Sequence, residues 1–240
     1  MKHELRLSPD ERQGLAAYAA SARWPAGFTV YERHAPADGV FVVLSGSVVL
    51  RTRLKGGRAF VPRIATAGHV FGVEGLAPAA VYRTDARAAV ETQTLHLDGA
   101  RLRVLLRERP VEAQALLAQV GAAHAHLLDR LRELAALSVE QRLLAAVTRV
   151  RDARADVAPS DPVTFDAAGY RLLCEMVGAT RESVSLVVNR LVSEGLAERD
   201  GSNVRIRPPA RPEDESAPAD LLLARSGAEP GLPAGRSMAS

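Results

Sequence analysis

Short apolar runs separated by turn residues occupy the chain from residue 28 to residue 97. The stretch GVFVVLSGSVVLRTRLKGGRAFVPRI at 39–64 holds three such runs, with turn residues at 45–47 and 55–57 between them. Valine, threonine, isoleucine and phenylalanine favour extended backbone, whereas glycine favours turns. Regularly spaced short strands of this kind predict an antiparallel sandwich or barrel.

A helical pattern precedes this region. Ser8, Pro9 and Glu11 together are typical of a helix start, because serine caps the first turn, proline fits its first position and glutamate completes a capping box. We expect this helix to end near the sequence RWPAG at 23–27.

The helical period returns after Asp98. A short helix is predicted to end before Pro110, and a longer one to run from there to about Leu137. Ser138 begins another capping-box motif, which marks a new helix and therefore a hinge at 137–138.

The longer helix carries a continuous apolar stripe. Its members recur at alternating spacings of three and four residues, which is typical of a coiled-coil seam of about three heptads. They are Leu117, Val120, His124, Leu127, Leu131 and Leu134. The stripe could pack on the barrel of its own chain or on a second copy. We favour a homodimer, because no other element of the chain looks suited to covering so long a stripe.

Composition narrows the class of protein. With 240 residues, 47% of them hydrophobic, the chain can bury the cores of one or two domains. No apolar run is long enough to span a membrane, and the N-terminal sequence lacks the apolar core of a signal peptide, so we expect a cytoplasmic protein. The single cysteine, Cys174, excludes an internal disulfide and a cluster held by several cysteines.

The twenty residues at 170–189 meet the demands of a helix-turn-helix. Cys174 is the small residue where two helices cross, Gly178 lies in the turn, and Val184 and Val187 are predicted to be buried on the second helix. The turn at 200–201 and the apolar residues after it predict a two-stranded wing.

Polar residues follow the turn, on the face opposite the two valines. Arg181 can pair with a guanine edge, Glu182 can accept from cytosine, and Ser185 is a further polar reader. Thr180 is expected to cap the helix, whose first N–H groups can meet a phosphate. Further expected DNA contacts are Ser183, Asn189 and Arg205. The alternative is a solvated charge pair on an ordinary helical hairpin.

Net charge adds little support for a nucleic-acid partner. The chain carries +3 overall, and the region 138–209 has ten basic and ten acidic side chains. Binding to DNA must therefore depend on where individual side chains lie.

The barrel, long helix and hinge, together with VGATRESVSLVVNRL at 177–191, resemble the CRP/FNR family of bacterial transcription regulators. The stretch at 28–48 is similar to the first barrel strands of that family, and the resemblance covers about residues 10–207. It implies an α+β fold with an N-terminal jelly-roll barrel of the cyclic-nucleotide-binding type, a long dimerisation helix and a C-terminal winged helix-turn-helix. The implied partners are double-stranded DNA and RNA polymerase.

The domain boundaries expected from these patterns divide the chain into four parts. They are a sensor barrel at 1–109, a dimerisation helix at 110–137, a DNA-binding domain at 138–208 and a disordered tail at 209–240. The mechanism expected is a rotation at the hinge that sets the spacing of two recognition helices, biased by whatever the barrel binds.

The nucleotide pocket of the family is matched only in part. The family uses a Gly-Glu pair on a short helix and an Arg-Ser or Arg-Thr pair about eleven residues later, and Gly72, Arg83 and Thr84 match those positions. Val73 stands where the family has glutamate, and Glu74 follows one residue late.

The dimer helix departs from the family as well. The positions expected to meet the base are Leu127 and Leu128, and neither can form a hydrogen bond with adenine. Cyclic AMP is retained as a candidate ligand, beside another small ligand or binding to DNA without one. On the recognition helix, Leu186 stands where many relatives carry a further arginine.

Other classes of function find less support. The six histidines show no metal-ligand spacing, and His124 is best explained as a polar residue that sets the register of the seam. No activated nucleophile or acid pair is evident, so we expect neither an enzyme nor a metal site. The alternative function is a cyclic-nucleotide-binding dimeric module that acts on a protein partner without specific DNA binding.

Overall fold

The computed structural model describes residues 5–154 and 161–209. Helix α1, Pro9–Ala16, begins at the predicted capping box, since Ser8 and Glu11 bond each other's backbone N–H groups. The expected continuation of this helix to 23–27 is wrong, because Ala20–Trp24 forms strand β1 and pairs with the strand that ends the barrel. The Trp24 indole N–H donates to Thr94 Oγ1 at 2.9 Å, which fixes this edge.

The barrel is built from two antiparallel four-stranded sheets, ordered β1-β8-β3-β6 and β2-β7-β4-β5. This order confirms the predicted jelly roll. The remaining strands are β2 Thr29–Tyr31, β3 Gly39–Ser45, β4 Ser47–Arg53, β5 Ala59–Thr66, β6 Val70–Phe71, β7 Asp85–Ala88 and β8 Thr92–Asp98. Both turns predicted at 45–47 and 55–57 lie between these strands.

Helices α2 Gly99–Glu108 and α3 Pro110–Ala136 follow the barrel. Leu137 has extended backbone, with φ −97° and ψ 143°, and Ser138 caps α4, Val139–Ala153, as its motif predicted. The long helix, the break after it and the new start are therefore present.

The C-terminal part is a winged helix-turn-helix. Its helices are α5 Ala167–Val177 and α6 Arg181–Ser193, and its strands are β9 Val163–Phe165, β10 Ala197–Asp200 and β11 Asn203–Ile206. The two-stranded wing β10–β11 was predicted, whereas β9, which pairs with β11, was not.

The apolar stripe on α3 faces solvent in the single chain. Leu117, Leu127 and Leu131 are 57%, 46% and 55% exposed, while a different face of α3, including Leu116 and Arg130, is buried. The interpretation that the stripe packs on its own barrel is therefore wrong for most of its length.

Two other expectations concern the C-terminal tail and membrane-spanning helices. The predicted disordered tail lies, from residue 210 onward, outside the described residues. No helix within 5–154 and 161–209 is long and apolar enough to span a membrane.

Candidate nucleic-acid interface and ligand pocket

The turn between α5 and α6 accepts only glycine. Gly178 ends α5 with φ +69°, in the left-handed region. A Cβ at this position would lie 3.0 Å from a methyl of Leu134 and 3.3 Å from the ring of Phe60. Both the backbone conformation and the close neighbours therefore fix the crossing of the two helices.

The buried face of α6 differs by one residue from the prediction. Val184, Val188 and Leu191 are fully buried, whereas Val187 is only half-buried at the flank of the core. Positions four and then three apart lie on one helix face, so Val188 continues the row from Val184. Cys174 is buried as predicted, and burial raises the pKa of its thiol, which keeps it protonated.

The exposed face of α6 presents the predicted polar residues together. Arg181, Glu182 and Asn189 are exposed, and with Ser185 they lie within an arc of about 100° on the helix. Thr180 Oγ1 accepts from the Ser183 N–H at 3.2 Å and lies 3.0 Å from Ser183 Oγ, so this pair forms the cap.

The charge state of Glu182 suits an acceptor. Hydrogen bonds from its own backbone N–H and from Thr180 lower the pKa of the Glu182 carboxyl. The side chain is therefore ionised at neutral pH and can accept from a base amino group.

Two of the predicted DNA contacts form hydrogen bonds with neighbours that the sequence did not reveal, and a third lies on a wing strand. Ser185 is half-buried, and its Oγ lies 3.2 Å from the hydroxyl of Tyr170 on α5. Asn189 Oδ1 accepts from Arg199 Nε of the wing at 3.2 Å. Arg205 is exposed on the other wing strand, opposite Glu198. Such pairings depend on tertiary packing, which local spacing does not report.

Leu186 is the apolar exception on this face. It is 72% exposed, although the other leucine of the helix, Leu191, is fully buried. An exposed leucine at this position can contact a thymine methyl but cannot form a hydrogen bond with a base.

The second candidate site begins where β6 ends. Gly72 has φ +68° and precedes a short 3₁₀ turn, Val73–Leu76. Val73 is half-buried against the apolar cluster beneath α1–α3, and so does not line the barrel interior. Glu74 Oε1 instead accepts from the Arg83 backbone N–H at 3.1 Å, while the Arg83 side chain is exposed.

The barrel interior beside Gly72 is filled by aromatic rings. Tyr31 and Tyr82 stack with centroids 3.8 Å apart, and Phe41 and Phe71 stack at 5.2 Å. A Cβ at Gly72 would lie 3.1–3.3 Å from Phe41, Tyr82 and Tyr31. Burial raises the pKa of both tyrosine hydroxyls, so they are neutral groups.

These residues do not fit a cyclic nucleotide without rearrangement. The Arg83 N–H, which would meet a phosphate, already has the Glu74 carboxylate as its acceptor. Thr84 lies beside Tyr31. Burial raises the pKa of the Tyr31 hydroxyl, and a hydrogen bond with the Thr84 side chain offsets part of that rise. Leu127 and Leu128 lie exposed on α3 and offer no polar atom to a base.

A groove outside the barrel was not predicted. It has a volume of about 470 Å³ and lies between β4–β5 and the helix-turn-helix. Its walls are mainly apolar and include Val49, Ile64, Val150, Phe165, Leu172 and Met176. No cluster of histidine, cysteine, aspartate and glutamate that could hold a metal ion occurs in the described part of the chain.

A jelly-roll barrel joined by a long helix to a winged helix-turn-helix defines the fold. Residues 22–109 match the cyclic nucleotide-binding domain family. A CRP-like cAMP-activated global transcriptional regulator of Mycobacterium tuberculosis is 22% identical over 201 residues, which are 83% of this chain and 89% of the relative. The family match keeps a cyclic nucleotide as a candidate ligand of the barrel.

Solved structures share the whole fold. The c-di-GMP responsive global regulator of Xanthomonas campestris has a TM-score of 0.70 at 20% identity, covering 83% of this chain and 99% of its own. A CRP/FNR family regulator from Thermus thermophilus has a TM-score of 0.63 at 22% identity, covering 78% and 93%. Together the comparisons confirm the resemblance of this chain to the CRP/FNR family of transcription regulators.

Proposed function

We propose that the protein is a sequence-specific DNA-binding transcription regulator and not an enzyme. The observation that carries this proposal is the first turn of α6. There Arg181 and Glu182 are exposed, while the opposite face of the helix is buried in the apolar core. In a helix-turn-helix, these turns enter the major groove.

The individual side chains have separate roles in this proposal. Arg181 pairs with a guanine and Glu182 with a cytosine, each contributing about 1–3 kcal/mol of discrimination. Ser185 and Asn189 lie on the same face, and their hydrogen bonds to Tyr170 and Arg199 hold them in place. Thr180, Ser183 and Arg205 contact the phosphate backbone, which fixes the register of the helix on the duplex.

The protein acts as a homodimer through the segment 110–137. The exposed leucines of α3 form the only long apolar row on that helix that its own barrel leaves uncovered within the described residues. Gly121, on the same side, has open space where a Cβ would stand, so a second helix can approach closely there. Two recognition helices would then read a roughly palindromic site with half-sites about 34–36 Å apart.

Residues 1–109 serve as the sensor, and 138–208 serve as the DNA-binding domain. A ligand of the barrel controls DNA binding through the break in the helices at 137–138. Cyclic AMP is a weak ligand, because Glu74 and the aromatic rings occupy its site. The protein works in the cytoplasm, with double-stranded DNA and RNA polymerase as partners.

Selection of binding sites from random DNA tests the proposal. The wild-type protein should recover a palindrome, and Arg181→Ala should lose preference at one position in each half-site. Arg103→Ala is the matched control, because Arg103 is also an exposed arginine and lies on α2, far along the chain from the reading helix. If Arg181→Ala recovers the same motif as wild type, α6 is not the reader.

A second outcome would favour a different function. A stable dimer that recovers no motif from random DNA would indicate a regulatory module that acts on a protein partner. If the full chain binds a protein partner, and Arg181→Ala binds it equally well, that result would support the alternative.

A further inference from the structure

The first helix of the helix-turn-helix rests on the outer face of the barrel. Val61 of β5 is 1% exposed and belongs to the same apolar cluster as Leu173 and Met176 of α5. Val49 and Ile64, on neighbouring strands, pack against this cluster as well. The barrel and the DNA-binding domain are therefore in apolar contact along α5, beside the groove that Val49, Ile64 and Met176 also line.

A bidentate ion pair between Arg51 and Glu175 holds α5 against this face. Arg51 Nε donates to Glu175 Oε2 at 2.8 Å, and Arg51 Nη2 donates to the other carboxylate oxygen. Arg51 lies two residues after Val49 on β4, so both side chains project from the same side of the sheet. Parallel bonds from a planar guanidinium constrain direction as well as distance.

The next residue of α5 is held by the long helix α3. Arg130 of α3 is 2% exposed and donates to the carbonyl of Met176 while pairing with Glu133. Glu133 also accepts from Arg149 of α4 at 2.8 and 3.0 Å. Adjacent residues of α5 are thus bonded to the barrel strand and to the proposed dimer helix, immediately before the turn that leads to α6.

The two arginines differ in what they do for the fold. Arg130 is fully enclosed, so its loss would leave buried partners unsatisfied and disturb the core. Arg51 and Glu175 are 42% and 22% exposed at their side chains, and ion pairs with that much solvent contribute little to stability. The pair can therefore be altered without unfolding the chain, which separates orientation from stability.

We propose that Arg51 and Glu175 are positioning residues for DNA binding: their ion pair sets the angle at which the barrel presents α5 and α6. In the dimer, this angle determines the distance between the two recognition helices. The inference rests on the proposed function, because it concerns the spacing of half-sites that the dimer reads. Neither residue contacts a base.

The test measures spacing preference rather than affinity alone. Full-length wild type, Arg51→Ala, Glu175→Ala and the double variant are assayed by mobility shift on the selected palindrome, with the spacer lengthened or shortened by one or two base pairs. Arg53→Ala is the matched control, since Arg53 lies on the same strand, carries the same charge and pairs with Asp85 of the barrel at 3.7 Å rather than with α5. Thermal unfolding confirms that each variant is folded.

Wild type should prefer one spacer, and each single variant should reduce that preference by about two- to fivefold, because a partly exposed ion pair is worth no more than about 1 kcal/mol. The double variant should match the singles, because both substitutions remove the same bond. Glu175→Ala is the sharpest variant: it removes a negative charge, so a purely electrostatic effect would strengthen DNA binding, whereas lost positioning weakens binding to the preferred spacer.

Two failures are distinguishable. If wild type recovers no palindrome, the proposed function fails. If wild type prefers one spacer and both Arg51→Ala and Glu175→Ala keep that preference as Arg53→Ala does, the positioning role is wrong. Should Glu175→Ala lose its unfolding transition, Glu175→Gln keeps the shape of the side chain, removes its charge and is judged by the same result.

Discussion

The recognition helix and the barrel pocket both resemble motifs of the same family, the pocket only in part, and the surroundings of the two sites differ in the structure. On α6, the side chains of Arg181 and Glu182 are exposed to solvent. At the pocket, Glu74 already accepts from Arg83 N–H, and stacked tyrosines fill the space beside Gly72.

The difference shows that matching residue types do not make an open site. A helix surface needs only a buried opposite face for its polar residues to remain accessible. A pocket inside a small barrel needs vacant space as well, and close packing removes that space when large side chains converge. We therefore expect DNA contacts to follow the family pattern more closely than ligand contacts.

The largest expected effect concerns the proposed dimer, because binding to a palindrome needs two copies joined through α3. Replacing Leu127 and Leu131 with glutamate should give monomers and abolish binding to the palindrome, because unpaired charges in an apolar interface are strongly unfavourable. Sedimentation measures the oligomeric state. The control is Ala118→Glu with Ala125→Glu, two exposed positions of α3 away from the leucine row. A dimer that persists in the leucine variant would show that α3 is not the interface.

The second prediction tests whether the pocket binds cyclic AMP weakly. Wild type should bind cyclic AMP more weakly than relatives with a complete pocket, by about one to two powers of ten for each lost hydrogen bond. Glu74→Ala should strengthen binding, because it frees the Arg83 N–H and removes a negative charge beside the phosphate. Calorimetry with cyclic AMP and cyclic GMP measures both.

Glu108→Ala, an exposed glutamate at the end of α2, is the control for this change. The opposite result would be a wild-type dissociation constant for cyclic AMP well below micromolar, together with weaker binding in Glu74→Ala. Glu74 would then be the ribose partner, shifted one residue from the family position.

How much the sequence predicts follows the same division between local and tertiary features. The capping boxes at Ser8 and Ser138 and the glycine of the turn at 178 are local, and each occurs where predicted. Strand β1 is missed by the sequence pattern because an alanine-rich stretch has little β-propensity, and pairing with β8 overrides that preference. Strand β9 has only three residues, too few for a clear alternation.

The site residues show the same limit. The exposed face of α6 follows from helical periodicity, although the buried row proved to include Val188 instead of Val187. The hydrogen bond between Ser185 and Tyr170 and the reach of Glu74 to Arg83 depend on which elements meet in space. Spacing along the chain does not contain that information.

The third prediction sharpens the contrast at one base pair. With Leu186 in place of an arginine, the half-site should keep the G and C positions read by Arg181 and Glu182, and should relax or prefer T where relatives require the last guanine. Leu186→Arg should restore that guanine, with a gain of about 1–3 kcal/mol, or roughly 5- to 150-fold, over other bases. Random-site selection reports each position separately. An unchanged motif in Leu186→Arg would mean that this residue does not reach the bases.

The smallest effect is expected on the wing, where Arg205 is exposed and β11 presents it beside Glu198. A phosphate contact carries no sequence information, so Arg205→Ala should weaken binding to all sequences alike and lower the slope of log affinity against log salt by about one for each lost contact. Titrations at several salt concentrations, on the selected site and on a scrambled one, measure both quantities. Arg181→Ala serves as the opposite case, because it should discriminate between those two DNAs. A base-specific loss in Arg205→Ala would instead place the wing in a groove, and the reading surface would then extend beyond α6.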